Sequence, residues 1–175
     1  KVAKILVRGD LVLAIGTNFY SDEITKYKLL KGIDIERWRI KQVRYLKNEG
    51  ELTEEELTKF LRPKVICQRL VAHIDNPKPH LKITACYDSE GIIITNTLTA
   101  FKLDEVINEM FWLAYLNSKF VSWYAHNFIY SRAIRTMDFY DFYIRQIPLP
   151  ESVFKDRKEQ KPFINLVDKI LAITK

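Results

Sequence analysis

The segment NSKFVSWYAHNFIYSRAIRTMDFYDFYIRQIPLP (residues 117–150) places cationic and hydroxyl side chains among aromatic ones. A first aromatic group leads into Ser131, Arg132, Arg135 and Thr136, and a second aromatic group and an Ile-Pro-Leu-Pro sequence follow. Aromatic rings anchor such a segment to a core, whereas Arg, Ser and Thr bind phosphates and base edges. The segment therefore predicts a core-anchored element that carries groups suited to nucleic acid.

The composition indicates a folded soluble protein of one domain or one and a half. The chain has 175 residues, of which 47% are hydrophobic and 29% charged, as in ordinary globular proteins. Its net charge of +6 agrees with a polyanionic partner but does not require one. No apolar run reaches the roughly 18 residues of a membrane span, so we expect a cytoplasmic protein without membrane contact. The chain opens without Met, and we expect it to be a piece of something longer.

The two cysteines are not in a pattern typical of metal binding. Cys67 and Cys86 are isolated in apolar runs, which is typical of reduced core thiols. No CxxC pair and no Cys/His spacing predicts a metal site. We therefore expect no metal site in this chain.

The first half of the chain has the pattern of β-strands. Strand-like segments lie at residues 2–15, 33–40, 42–46, 64–74, 81–87 and 92–101. The last two are close enough to predict a hairpin. Because side chains alternate along a strand, Thr95, Thr97 and Thr99 would form a polar ladder on one face of that hairpin.

The second half has the pattern of helices. Helical segments are predicted at residues 104–114, 120–128 and from about 159 onwards, and a capping box predicts a short one earlier, at 54–61. Asp104 is the expected N-cap of the first of these later helices. The chain is thus predicted to be α+β, with a twisted, mainly antiparallel sheet in front and helices behind. We divide it into a domain at 1–150 and an amphipathic spacer or docking helix at 151–175.

Four blocks resemble, in order, the TaqI-like C-terminal specificity (target recognition) domain of adenine-specific DNA methyltransferases and fused restriction–modification enzymes. They are ILVRGDLVLAIGTNFY (5–20) with LLKGIDIERWRI (29–40), RPKVICQRLVAHI (62–74), the segment 116–150, and EQKPFINLVDKIL (159–171). The third block is the most specific, because its Asn-Ser-Lys opening, aromatic helix and Ile-Pro-Leu-Pro end occur together. The last block is similar to the spacer helix of type I specificity subunits.

This resemblance implies a sequence-specific duplex DNA recognition domain that works beside an adenine-N6 methyltransferase domain, fused or associated. That partner domain would bind S-adenosylmethionine, carry an Asn/Asp-Pro-Pro-Tyr/Phe tetrapeptide and flip the target base. The nearest sequence here, Asn76-Pro77-Lys78-Pro79, lacks the paired prolines and the aromatic residue. The resemblance therefore places catalysis outside this chain, in a parent that either only methylates or also cleaves DNA.

The stretch from 62 to 82 is the most basic part of the middle of the chain. Its candidate DNA contacts are Lys64, Gln68, Arg69, His73 and Lys82. The alternative for the stretch is a solvated basic face. Arg69 lies in an apolar run where a charge is costly, so a DNA contact and a structural ion pair both remain open.

A second set of candidates follows the aromatic helix: Ser131, Arg132, Arg135 and Thr136. Two Arg residues with flanking hydroxyls would make a phosphate clamp, unless one Arg pairs with Asp138 or Asp141. The histidines are interpreted as surface or core residues, with groove contact by His73 or His80 as the alternative. Helical spacing favours a core position for the aromatic residues over a base-stacking role.

Two other classes of function compete with DNA recognition. A protein-interaction module in a larger DNA-processing assembly would use the apolar stripe of the last helix. A nuclease would need clustered carboxylates with a Lys, and Asp138, Asp141 and Lys155 are too loosely spaced to favour it.

Overall fold

The computed structural model describes residues 3–8, 20–47, 57–58, 60–71, 73–134, 136–139 and 141–174. The strands are β1 (Ala3–Arg8), β2 (Tyr20–Ser21), β3 (Lys28–Leu30), β4 (Ile35–Glu36), β5 (Arg39–Ile40), β6 (Arg44–Leu46), β7 (Lys64–Gln68), β8 (Leu70–Val71), β9 (His73–Ile74), β10 (His80–Leu81), β11 (Ala85–Asp88), β12 (Ile93–Ile94), β13 (Leu98–Leu103) and β14 (Met137–Asp138). The helices are α1 (Glu109–Asn117), α2 (Lys119–Tyr124), α3 (Asp141–Ile144), α4 (Glu151–Lys155) and α5 (Lys161–Ile173). This architecture confirms the predicted α+β class.

The main sheet is antiparallel, with strand order β1–β13–β7–β11. Strand β7 is central because it is apolar on both faces: Val65, Ile66 and Cys67 are each at most 1% exposed. Ile66 packs into one hydrophobic core and its neighbours into another, so the sheet separates two cores. Burial raises the pKa of the Cys67 thiol to about 12, which keeps it protonated and inert.

The predicted hairpin of 81–87 with 92–101 is wrong, because β11 and β13 lie on opposite sides of β7. The turn after β11 is closed by Asp88, whose carboxylate accepts hydrogen bonds from the backbone amides of Glu90, Gly91 and Ile92 at 2.6–3.0 Å. Gly91 has a φ of +75°, and a Cβ there would meet the backbone of the 61–62 turn. The chain then leaves the sheet, and β12 pairs in parallel with β3.

A second, smaller sheet has the order β12–β3–β6–β2. The threonines do not form a solvent-facing ladder, since Thr95 and Thr99 are buried. The Thr95 and Thr97 hydroxyls are 2.8 Å apart, and the Thr97 hydroxyl accepts a hydrogen bond from the amide of Gly32. Thr97, just before β13, therefore links the main sheet to the segment that follows β3.

The run 64–74 is not one strand but three. The chain bends at Arg69, whose carbonyl accepts a 2.6 Å hydrogen bond from the amide of Phe139. Strand β8 then pairs with β14, and β9 pairs with β10. The bend sends His73 and its neighbours away from the main sheet towards the helices.

The three helices predicted in the second half are present as α1, α2 and α5 with shifted bounds, and α3 and α4 were not predicted. Helix α1 begins at Glu109 with Asn108 as its N-cap, because Asp104 instead closes a turn through the amide of Val106. The segment 54–61 is described only at 57, 58, 60 and 61, of which the first three are helical, and residues 9–15 of the strand-like segment 2–15 lie outside the described residues. None of the helices that are described is long and apolar enough to cross a membrane.

The C-terminal helix α5 packs against α1. The ring of Phe163 meets Phe111 edge-on at 5.3 Å between centroids, and Val167 is fully buried. Gln160 is also buried; its amide oxygen accepts from the backbone of Asn108 and its nitrogen donates to Val106. The segment 151–174 therefore contributes to the same hydrophobic core as the preceding residues.

Candidate nucleic-acid interface

An open cleft of about 880 Å³ lies between the loop that joins β9 to β10 and the helix α2. Its lining residues are Arg37, Pro77, Lys78, Pro79, His80, Leu81, Lys82, Lys119, Ser122, Trp123, His126, Asn127 and Arg132. We call this site the basic cleft.

The Asn-Ser-Lys sequence at the start of α2 fixes the helical wall of the basic cleft. Asn117 is buried, and its amide both donates to the carbonyl of Ala85 and accepts from the Ala85 backbone N–H at 2.9 and 3.0 Å. It thereby ties the end of α1 to Ala85, the first residue of β11. Ser118 caps α2 by accepting from the amide of Val121. Lys119 is then presented to the cleft.

Arg37 ties the two walls together. Its Nε donates to the carbonyl of Ile83 at 2.8 Å, and an Nη donates to the Ser122 hydroxyl at 3.2 Å. Burial lowers the pKa of the guanidinium, although it remains charged at any physiological pH. A fixed, half-buried cation therefore lies at the base of the cleft.

All the Arg, Lys, Asp and Glu residues in the described lining of the basic cleft are positively charged. It holds Arg37, Lys78, Lys82, Lys119 and Arg132, and no Asp or Glu occurs among the lining residues that the structure describes. Cations without local carboxylates attract anions and concentrate the positive potential within the concavity. The cleft is therefore suited to a polyanion.

The three histidines of the chain lie close together at this cleft, with His80 and His126 in its lining and His73 next to His126. The rings of His73 and His126 lie 5.7 Å apart, and Nε2 of His73 is 3.0 Å from the Asp75 carboxylate. Burial lowers the pKa of His126, and the nearby His73, Arg132 and His80 lower it further. His126 is thus neutral at pH 7 in the free protein.

A strained turn directs Arg132 into the basic cleft. Ser131 and Arg132 have φ values of +50° and +59°, the left-handed region that costs non-glycine residues energy. The amide of Arg132 donates to the carbonyl of His126 at 2.8 Å, and its Nε donates to the side chain of Asn127 at 3.0 Å. The π-helical segment Ala125–Ile129 that precedes the turn supplies both acceptors.

Of the predicted DNA contacts, Lys82 and Arg132 line the basic cleft, and His73 lies behind it against His126. Lys64 requires a correction because it is only 1% exposed. Its ammonium donates to the Asp88 carboxylate at 2.6 Å and to the carbonyls of Phe60 and Ile92. Lys64 is therefore a structural residue without surface to offer to DNA.

Gln68 and Arg69 also bind within the protein. The Gln68 amide donates to the carbonyl of Gly32, and Arg69 lies 2.9 Å from the Asp138 carboxylate across the β8–β14 pair. The ion pair agrees with the structural alternative for Arg69. It also engages the carboxylate that a nuclease site would have used.

Ser131 and Thr136 are exposed but do not line the basic cleft, and Arg135 lies outside the described residues. Sequence patterns missed several lining residues: Arg37, Lys78, Lys119, Trp123, His126 and Asn127. All six lie in segments that sequence analysis singled out: Arg37 in the first block that resembles the family, Lys78 in the basic stretch 62–82, and the other four in the segment 116–150. Their convergence on one cleft depends on tertiary packing, which those patterns do not contain.

A comparison with known families bears on this arrangement. A sequence profile described as the TaqI-like C-terminal specificity domain matches residues 27–149, which is more than half of the chain. The chain belongs to this family. The family is associated with target recognition in restriction–modification systems, and its match includes every residue that lines the basic cleft. A search of curated proteins finds no match to the chain.

Proposed function

We propose that this TaqI-like specificity domain binds duplex DNA through the basic cleft and selects the site at which a methyltransferase domain acts. The carboxylate-free set of cations in the cleft is the observation that carries the proposal. Cations of this kind hold phosphates and fix the register of the duplex, while base edges supply the sequence choice.

The cleft has the parts that such a contact needs. Arg37 and Arg132 are held in place by hydrogen bonds, which lowers the entropic cost of fixing them on a phosphate or a guanine. Lys78, Lys82 and Lys119 are longer and more freely placed charges. The two fixed guanidinium groups would therefore make specific contacts, and the flexible ammonium groups would attract the phosphate backbone without regard to sequence.

The chemistry belongs to a partner domain in this proposal. The loop of Asn76-Pro77-Lys78-Pro79 forms one wall of the basic cleft and has no aromatic side chain to stack on a flipped base. We therefore assign S-adenosylmethionine, base flipping and methyl transfer to a fused or associated methyltransferase domain, in a cytoplasmic restriction–modification enzyme.

Duplex binding by the isolated chain is the direct test. If the cations of the cleft each neutralise one phosphate, log K should fall with log salt with a slope of about −4 to −5, or several hundred-fold between about 50 and 200 mM salt. Fluorescence anisotropy with a labelled random-sequence duplex measures the slope, and selection from a random pool reveals a preferred site. A chain that binds no duplex at low salt contradicts the proposal.

DNA binding should also strengthen on acidification. In the free protein the pKa of His126 lies below its ordinary value, and a phosphate in the cleft would favour the imidazolium and raise it. Binding then takes up a proton, so affinity should rise by roughly threefold to tenfold from about pH 7.5 to about pH 5.5. Anisotropy titrations at constant ionic strength measure this rise.

The matched control for this pH dependence is His126→Gln, which should flatten the response. Circular dichroism must accompany each pH, because a His with a lowered folded-state pKa destabilises the fold as pH falls below the unfolded value. If the affinity of His126→Gln for DNA still rises on acidification, another group takes up the proton. The neighbours His73, His80 and Asp75 are then the residues to test.

A further inference from the structure

A row of exposed aromatic rings lies on α2 and the π-helical segment, next to the basic cleft. Phe120, Trp123 and Phe128 are 46%, 53% and 59% exposed, and Tyr124 lies among them. Their centroids are 5.0–6.2 Å apart, and the pairs are tilted or edge-on. We call this surface the aromatic shelf.

The exposure of the aromatic shelf corrects the expectation that these rings belong to the core. The opposite face of the same helix is the buried one, and it carries the small or polar residues Val121, Ser122, Ala125 and His126. Those side chains allow the helix to approach β10 and Ile83 closely. Three large rings are thereby left on the outside.

The aromatic shelf and the basic cleft share residues. Trp123 lines the cleft and also contacts Phe120 and Phe128 of the shelf. Lys119 precedes the first ring of the shelf, and Arg132, which donates a hydrogen bond to Asn127, lines the same cleft as Trp123. A strand whose phosphates occupy the cleft could therefore place bases on the rings.

We propose that the aromatic shelf binds unpaired nucleobases of a DNA strand whose phosphates are held by the basic cleft. Stacking on exposed rings beside a cationic groove is how proteins bind single strands, because every base has a π-face and needs no hydrogen-bond partner. The shelf would thus take bases that have lost their pairing during recognition. This inference rests on the proposed DNA-binding role of the cleft.

Charge complementarity favours a nucleotide over a protein as the occupant. A protein segment that covered the shelf would have to place a neutral or acidic surface against Lys119 and Arg132 as well as an apolar one against the rings. A single strand offers both features at a repeating spacing, a phosphate and a flat apolar base for each nucleotide. The shelf and the cleft together offer both kinds of contact.

The test compares a short oligo(dT) with a duplex of equal length, both bound to the whole chain. The double substitution Phe120→Ala/Phe128→Ala removes two rings of the shelf that do not line the cleft. It should weaken oligo(dT) binding on the order of 10- to 100-fold for each base that loses its stack, and leave duplex affinity within about twofold. Phe120→Tyr/Phe128→Tyr keeps both rings and should bind oligo(dT) like the parent chain. Phe142→Ala is the control, since Phe142 is an exposed aromatic residue that does not line the cleft.

The outcomes separate this inference from the function on which it rests. Unchanged oligo(dT) binding in the double variant, or an equal loss for both ligands, overturns the aromatic shelf as a base-stacking site. Loss of self-association in sedimentation, with both affinities unchanged, assigns the shelf to contacts between copies of the chain and also overturns it. Ring-dependent oligo(dT) binding without duplex binding supports the shelf and contradicts the proposed function.

Discussion

Replacing Lys82 and Lys119 together by Ala should weaken duplex binding on the order of 100-fold at about 50 mM salt and reduce the slope of log K against log salt by about 1.8. The two ammonium groups come from opposite walls of the basic cleft. Each phosphate contact contributes about 0.9 to the slope through release of its counterion. The expected change is therefore the sum of two contacts.

The fold should not be affected by this pair of substitutions. Both side chains are exposed, and neither has an ion pair in the described part of the chain. Lys119 even lies in the first turn of α2, where a cation is slightly unfavourable. Urea unfolding curves of the variant and the parent chain should coincide.

The matched control removes the same charge elsewhere. Lys158 and Lys169 are exposed residues near and on α5 and do not line the basic cleft. Lys158→Ala/Lys169→Ala should change affinity only through the lower net charge and leave the slope unchanged. Equal effects of the two double variants would mean that the attraction comes from overall charge, and the cleft would lose its role.

Local patterns predicted the strands of the main sheet and the helices α1, α2 and α5, but not how the strands are ordered. The alternation in 81–87 and 92–101 is correct for strands, yet β7 takes the place between them, where it is buried on both faces. The central position in a sheet goes to the strand that must be buried on both faces. Which strand that is depends on all the strands together, so the pattern of one strand does not predict the order.

Helical periodicity similarly predicted which residues share a face of α2, but not which face is buried. A hydrophobic stripe usually faces the core. Here close packing against β10 selects the face with Ser122 and Ala125, and the rings of Phe120 and Phe128 remain outside. Which face is buried depends on how closely the helix packs against the strand, and the periodicity of the helix alone does not show this.

The candidate site was only partly accessible to sequence analysis for a related reason. Lys82 and Arg132 were predicted, because basic residues near turns are recognisable in any chain. Lys64 was misassigned, since its partner Asp88 lies 24 positions away and nothing in the sequence pairs them. Whether a basic residue binds a carboxylate inside the protein or remains available at the surface depends on such long-range pairs, which local sequence patterns do not show.

Lys64→Met should destabilise the protein by about 3–5 kcal/mol, because it leaves the Asp88 carboxylate buried without its cation. Lys64 is 1% exposed and Asp88 is fully buried. Burial lowers the pKa of Lys64 while Asp88 opposes that shift, so the pair is held together against the cost of desolvation. The carbonyls of Phe60 and Ile92 would also lose their donor. Urea unfolding followed by circular dichroism measures the loss.

Lys28→Met is the control for this prediction, since Lys28 pairs with Glu90 on the exposed side of the same turn. A surface pair contributes about 0–1 kcal/mol, so the same substitution there should change stability little. The salt slope of DNA binding, measured where Lys64→Met remains folded, should equal that of the parent chain. A slope reduced by about 0.9 with unchanged stability would instead place Lys64 on a phosphate and contradict its structural role. The two measurements therefore assign this lysine to one role, because a buried ion pair changes only the unfolding free energy and a phosphate contact only the counterion release.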